Sequence, residues 1–365
     1  MSIDFSEQRW QKVKQDYQLW WAGQLDRPLV QVVFTDCDPG RDEPDLPSYG
    51  FTSFYDLSVP AEKIVDRWDY DLSCQRFLGD AFPRIFPNFG PGVIAAFLGA
   101  KLENREDTVW FHPPADLDIT EIDFKYITRS VWLDRVKDIY KAAAEYWQGL
   151  VQLPMTDLGG NLDILATFRP GDKLLLDLYD SPEKVKRLTW QAHDCWFKYY
   201  QEIDAVIKSK NPGYSAWAGI FCPEPYYMLQ CDFSYMIGPG MFDEFVKPEL
   251  TKSCQRLGKS FYHLDGPGEL PHLDSLLSIE ELDGIQWVPG AGQGPLNRWL
   301  DVYRRIRGAG KLVQLINVDA KAIPIDVLDE VLNRLGSGKG LIALIRAPVS
   351  EEERIMKRLA QYNIT

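Results

Sequence analysis

Histidine is scarce in this chain of 365 residues, with four in all at positions 112, 193, 263 and 272. Imidazole chemistry therefore has few places to occur. No apolar run approaches the ~20 residues that a membrane-spanning helix needs. The N-terminus, MSIDFSEQRWQKVKQDYQLWW, has no apolar core of the secretion-signal type, so a cytoplasmic location is expected. The six cysteines, Cys37, Cys74, Cys195, Cys222, Cys231 and Cys254, form no CxxC pair, which argues for free thiols rather than a disulfide framework. GxGxxG, P-loop, HExxH and GxSxG motifs are absent. Basic charge is also in deficit, with 40 Lys and Arg against 53 Asp and Glu, a formal net charge of −13. Without a basic stripe interleaved with aromatics, nucleic-acid binding has nothing to work with.

What is present is enough for a large core, with 45% hydrophobic and 13% aromatic residues, and disorder is excluded on that composition. No linker or internal repeat divides residues 1–365, so a single domain is expected. An amphipathic helix over roughly residues 5–24 forms an N-terminal extension (1–25). It is followed by Leu29 to Phe34, a nearly continuous apolar run of the kind a strand buried on both faces shows. Similar runs recur at 151–155, 215–221, 260–263, 284–288, 312–316 and 341–345, and an eighth strand is expected within 64–96. Helical patterns lie between them. Ser181-Pro182-Glu183 opens a long one through Lys208, with Pro in the first turn, and others cover 239–257, 296–308, 325–335 and 350–361. Strands alternating with helices imply parallel βαβ units, and eight such units make a closed (β/α)8 TIM barrel. An open doubly wound sheet is the rival, weakened by the missing phosphate loop. Residues 99–127 are acidic and patternless and read as an irregular insertion.

In a barrel, chemistry gathers where strands end and βα loops begin. Those ends offer Asp36 and Asp38, Asn88, Asp157 and Asn161, Cys222 and Glu224, His263 and Asp265, Trp287, Asn317 and Arg346. The pair in YHLDG is the most informative. Positions two apart on a strand share a face, so His263 and Asp265 set an imidazole beside a carboxylate, able to hold a metal or to move a proton. The plainer alternative is a histidine bonded to a loop-capping aspartate. Each polar residue taken alone also suits a cap or a turn. Convergence of several loops on one mouth is the stronger argument. Tyr227, Trp287 and neighbouring aromatics would wall an acidic pocket suited to a cation or an amphipathic molecule. His112, His193 and His272 suit surface or core positions.

At these strand ends the chain resembles the uroporphyrinogen decarboxylase superfamily. The resemblance rests on DRPLV at strand one, the block CDFSYMIGPGMFDEFVKPEL (231–250), the YHLDG strand end, and Ala347-Pro348 after the closing strand. FGPGVIAAFLGAK and IQWVPGAG look like the methyltransferase-leaning branch. The resemblance implies a (β/α)8 barrel, with zinc and a corrinoid carried on a partner protein as cofactors. The departures matter as much. The decarboxylase places arginines after its first strand, in a motif of the type RQAGRY, whereas here that stretch reads VQVVFTDCD. Asp36 and Asp38 there would repel a polycarboxylate porphyrin. The methyltransferases use a His-x-Cys pair and a third Cys; here Asp265 replaces the first Cys, and Ile345 and Arg346 stand where the third would fall.

The expected function is therefore a methyltransferase-like enzyme acting on a small methylated or amphipathic substrate with a corrinoid protein. His263, Asp265 and Asp36 are the catalytic candidates. Asn88, Asp157, Asn161, Glu224, Tyr227, Trp287 and Arg346 would position substrate. A metal, zinc or harder, would be held by His263, Asp265, Glu224 and Cys222. A metal-free decarboxylase or lyase on a non-porphyrin substrate and a non-catalytic ligand-binding barrel are the alternatives. A homodimer is compatible with all three, and neither a membrane nor nucleic acid is an expected partner.

Overall fold

A computed structural model describes residues 3–316 and 323–364; Asn317, named among the strand-end residues, lies outside them. The fold is mixed α/β around a seven-stranded, mostly parallel sheet. In chain order the strands are β1 (Leu29–Thr35), β2 (Arg76–Gly79), β3 (Lys101–Asn104), β4 (Val109–His112), β5 (Tyr226–Leu229), β6 (Lys259–Asp265), β7 (Gly284–Val288), β8 (Leu312–Leu315) and β9 (Leu341–Pro348). The main sheet runs β2-β1-β9-β8-β7-β6-β5, and β3 and β4 form a separate hairpin. Every main-sheet pairing is parallel except β1 with β2.

Six of the eight expected strands are present: five fall on β1, β6, β7, β8 and β9, and β2 lies within 64–96, though it pairs antiparallel. The other two are not. The run 215–221 is not a strand: it is a loop closed at its base by the antiparallel bridge between Tyr214 and Cys222, and β5 begins only at Tyr226. The run 151–155 is extended but contributes one parallel bridge, Gln152 to Arg84, and one bond, Met155 N to the Ser215 carbonyl at 2.9 Å. Among the described residues, the regular ladder thus covers seven strands rather than eight, one of them antiparallel. No helix among them is long and apolar enough to cross a membrane.

The N-terminal helix, Glu7–Trp21, closes the end of the sheet at which β5 and β6 begin. Trp10, Val13, Tyr17, Trp20 and Trp21 are its buried residues, at the 3–4 spacing of one helical face. Trp20 stacks on Phe261 at 5.9 Å, and Trp21 meets Tyr226 edge-on at 5.5 Å. Arg27 grips the buried Asp80 through two nitrogens, at 2.7 and 2.8 Å. The long helix Pro182–Ile207 and the helix Val131–Trp147 pack outside. The expected helix over 239–257 is two, Pro239–Phe245 and Lys247–Arg256, because Pro248 cannot continue the first ladder. From the long helix Pro182–Ile207, His193 finds a partner 56 residues away in the second of these: Nδ1 lies 2.7 Å from Glu249 Oε1, and both are buried.

Strand register assigns the inner face. His263 pairs with Gln286, Gln286 with Gln314, Gln31 with Leu344 and Val33 with Arg346. By alternation, His263, Asp265, Gln286, Gln314, Gln31 and Arg346 share that face. The 213–219 loop lies against it. Buried backbone carbonyls need donors, and three glutamine amides supply them: Gln152 to Gly213 (3.0 Å), Gln314 to Ala218 (2.9 Å) and Gln31 to Gly219 (2.7 Å).

Candidate active site

His263 sits near the C-terminal end of β6, and the glutamines fix which of its nitrogens carries the proton. Gln314 Nε2 donates to the Ala218 carbonyl, which can only accept. Gln314 Oε1 is therefore left to accept from Gln286 Nε2 at 2.7 Å. Gln286 Oε1 in turn must accept from His263, whose Nδ1 lies 2.5 Å away. In the neutral ring this places the proton on Nδ1 and leaves the Nε2 lone pair open. Trp217, from the buried loop, stands edge-on to the imidazole at 4.8 Å and 86° and fixes the ring plane. Asp265 Oδ2 is 3.9 Å from Nε2, too far for a hydrogen bond.

Around this histidine lies a group of carboxyls that take up protons. Asp157 is pushed up to about 7, first by burial and then by the charge of Asp232, against bonds from Gly159 N (2.8 Å) and Gly92 N (3.3 Å). Asp163 is raised by burial and by Asp232, although it accepts from the backbone N–H of Phe233 (2.8 Å) and Asp232 (3.1 Å). Asp232 is raised by burial and by Asp265, and lowered by His263. Its side chain is open to solvent within a concave mouth, so water and surrounding protein both act on it. Glu269 is buried and pushed up to about 10, by burial and by the charges of Asp232, Asp163 and Asp265; it accepts from Asp265 N at 3.1 Å. Gly160 makes this arrangement possible, since a Cβ there would lie 2.2 Å from the Gln230 carbonyl. The close approach brings the helix Asn161–Phe168 onto the end of β5.

A cavity of about 490 Å³ opens beside these acids, lined by Gly159, Asp163, Gln230, Asp232 and Phe233. Trp110 to Pro113 form its far wall. The segment 99–127, expected to be irregular, thus contributes the β3–β4 hairpin to the site. Its His112 lies 2.8 Å from Glu103 on the facing strand. Asp232 belongs both to this cavity and to the electrostatic surroundings of His263, and so links the two.

The expected residues divide sharply. His263, Asp265 and Asp157 meet at this mouth, and Arg346 shares the inner face with His263. Asn161 is buried at the first turn of its helix, its Oδ1 without a partner among the described residues. Cys222 and Glu224 are at the wrong end for the expected metal set. Glu224 packs on Gly258, just before β6, and five residue steps along the strand put that point roughly 16 Å from His263. Burial also holds the Cys222 thiol up at about 12, far from the thiolate a metal needs. Trp287 pairs with Leu264 and so lies on the outer face, against Trp299 at 5.2 Å; it is no pocket wall. Tyr227 is also on the outer face, but its hydroxyl accepts from Leu158 N at 2.7 Å and supports the Asp157 loop. Asn88 is spent on turns: Oδ1 accepts from Gly90 N, Nδ2 donates to Gly50. Asp36 is exposed beyond β1 with φ 63°, and no hydrogen bond links it to His263 among the described residues. Nor do three His, Cys, Asp or Glu side chains among them converge as a metal site. The donor set expected for zinc does not fit.

Asp163, Asp232 and Glu269 escaped the sequence reading. Asp232 falls inside the quoted block 231–250, but the misplaced fifth strand directed attention to Cys222 and Glu224 instead. A scan against protein-family models and a search of curated proteins return no match to this chain.

Proposed function

We propose that the chain is an enzyme that moves protons on a small, non-porphyrin organic substrate, a metal-free decarboxylase or lyase. The observation that carries this reading is the relay Ala218–Gln314–Gln286–His263. It leaves Nε2 of His263 as an oriented base in a mouth where burial raises the proton affinity of Asp157, Asp163, Asp232 and Glu269. A base and acids kept apart in protonation by their surroundings are what paired proton transfer requires. In the lyase step His263 Nε2 takes a proton from a substrate carbon, the C–H electron pair forms the new double bond, and the group expelled from the neighbouring carbon leaves with a proton from a carboxyl of the Asp163–Asp232 pair. The seven-stranded sheet is read as the hydrogen-bonded arc of a (β/α)8 barrel. The 83–85, 151–155 and 213–215 segments then complete the wall between β2 and β5, and His263 stands at the catalytic end.

Methyl transfer with a corrinoid protein is a second reading, favoured by the exposed apolar rim of the cavity. Trp110 and Met236 are 57% and 55% exposed there, a docking face for a protein that presents a large cofactor. The scattered ligand set for zinc favours the metal-free reading over it.

Solvent-deuterium incorporation into candidate organic acids, followed by NMR, tests the proposal. His263→Ala should lower exchange roughly 10²- to 10⁴-fold with a nearly unchanged thermal midpoint. Unfolding of that variant would make His263 structural, and unchanged exchange would remove it from the chemistry.

A further inference from the structure

The groups that the proton chemistry leaves unused lie a few residues away on the same face. Arg84 projects into a second, smaller cavity of about 130 Å³, lined by Arg84, Trp217, Ala218, Gln314, Ile323 and Leu344. Its guanidinium is ringed by protein and lies against Gly219, where a Cβ would come within 2.0 to 2.3 Å of the guanidinium atoms. Gly219 also has φ +73°, so two requirements reserve that position for glycine. Among the described residues, Arg84 makes no hydrogen bond or ion pair through its side chain. Burial works against its charge most, Tyr17 favours it, and another cation, Arg346, opposes it.

The other polar groups of the cavity point the same way. The indole N–H of Trp217 is buried without a partner among the described residues. The Ala218 carbonyl is taken by Gln314, and Gln314 Oε1 is taken by Gln286. What remains uncommitted is a set of donors: a guanidinium fork and an indole N–H. Donors without acceptors, around a cation that cannot shed its proton, select an anion. Leu315, Ile316, Ile323 and Leu344 supply an apolar lining beside them, which suits a short hydrocarbon stem.

We propose that this cavity binds the carboxylate of a small organic acid, with Arg84 as its planar, two-pronged partner and Trp217 Nε1 as a third donor. Trp217 also touches His263, so an acid anchored here extends its other end toward the open Nε2. That last step rests on the proton-transfer reading above; the binding itself does not.

The full chain is titrated with acetate, butyrate and inorganic phosphate at constant ionic strength, by thermal shift and calorimetry. Butyrate should stabilise the wild type and bind more tightly than acetate, because its stem reaches the apolar lining. Arg84→Met should lose at least tenfold in affinity, and Trp217→Phe roughly fivefold, one buried donor being removed. Absence of any carboxylate effect on the wild type overturns the proposal, as does undiminished binding to Arg84→Met. Phosphate binding as tight as butyrate overturns the carboxylate assignment. If Arg84→Met does not fold, Trp217→Phe carries the test, and unchanged affinity there is equally adverse. His263→Ala separates the two readings. Retained butyrate binding without exchange supports both, whereas retained binding with full exchange removes only the role of His263.

Discussion

The two sides of the mouth answer burial in opposite ways. On one side Asp157, Asp163, Asp232 and Glu269 are all raised above the ordinary carboxylate range. On the other, Arg84 is half-buried, is penalised by desolvation, and has no counter-ion among the described residues. A buried carboxyl can escape the cost of its charge by keeping a proton. A guanidinium cannot, because its pKa lies far above any working pH. The acidic side is therefore compensated by protons and needs no cation. The basic side stays charged, and among the described residues nothing supplies its anion. The acids at the strand ends suggested a pocket suited to a cation, but those that are buried hold protons more tightly than ordinary carboxylates.

Glu269→Gln tests the acidic half and has the largest expected effect. Glu269 has its folded pKa raised from 4.5 to about 10, so across that window the folded state holds a proton that the unfolded state has released. Stability therefore falls as pH rises from 4.5, and at pH 7 the cost is about 3 kcal/mol, at about 1.4 kcal/mol per pH unit. Glutamine keeps the acceptor for Asp265 N and removes the titration. The variant should be more stable than wild type by about 3 kcal/mol at pH 7 and indistinguishable near pH 4.5. Thermal midpoints across that range check it. Equal destabilisation at every pH would mean that the acidic side is ionised, and the contrast would fail.

Arg84→Met tests the other half. Removing a half-buried cation that has no counter-ion among the described residues should stabilise the ligand-free protein slightly. Unlike the Glu269 gain, this one should be flat between pH 5 and 9, since the guanidinium does not titrate there. Denaturant unfolding at three pH values distinguishes the two slopes. A loss of stability instead would show that Arg84 already has a partner in the fold.

How much of this was legible follows from what each residue does for packing. β1 and β6 to β9 were visible because strands buried on both faces leave continuous apolar runs. The run 215–221 is apolar for another reason: it is a loop lying against the inner face, and periodicity cannot separate a buried loop from a buried strand. That one misreading displaced the fifth strand end and put Cys222 and Glu224 in place of Gln230 and Asp232. His263 and Asp265 were legible from spacing two. Arg84 was not, because a lone arginine between Pro83 and Ile85 carries no motif, and its importance lies in a partner it lacks. The glutamines did leave a signal. Gln31 in LVQVVF, Gln286 in GIQWV and Gln314 in LVQL are amides inside apolar strands, and a buried amide must be bonded.

That signal yields the smallest effect and the finest test of how the two sides meet. Gln286 touches neither cavity; it passes the orientation of the Ala218 carbonyl to His263. Gln286→Leu keeps the strand and most of the volume but frees Nδ1 from its acceptor, so both tautomers become accessible. Turnover should fall roughly tenfold, as when other supports of a functional histidine are removed, equal to about 1.4 kcal/mol of barrier. Butyrate affinity should not change, because Arg84 and Trp217 are untouched. The pH profile carries the decisive reading: a glutamine that orients the catalytic base should alter the variant's activity curve, whereas a merely structural one should leave its shape in place. If Gln286→Leu instead weakens butyrate binding and leaves the pH profile in place, the glutamine serves the arginine side, and the two halves of the mouth are not independent.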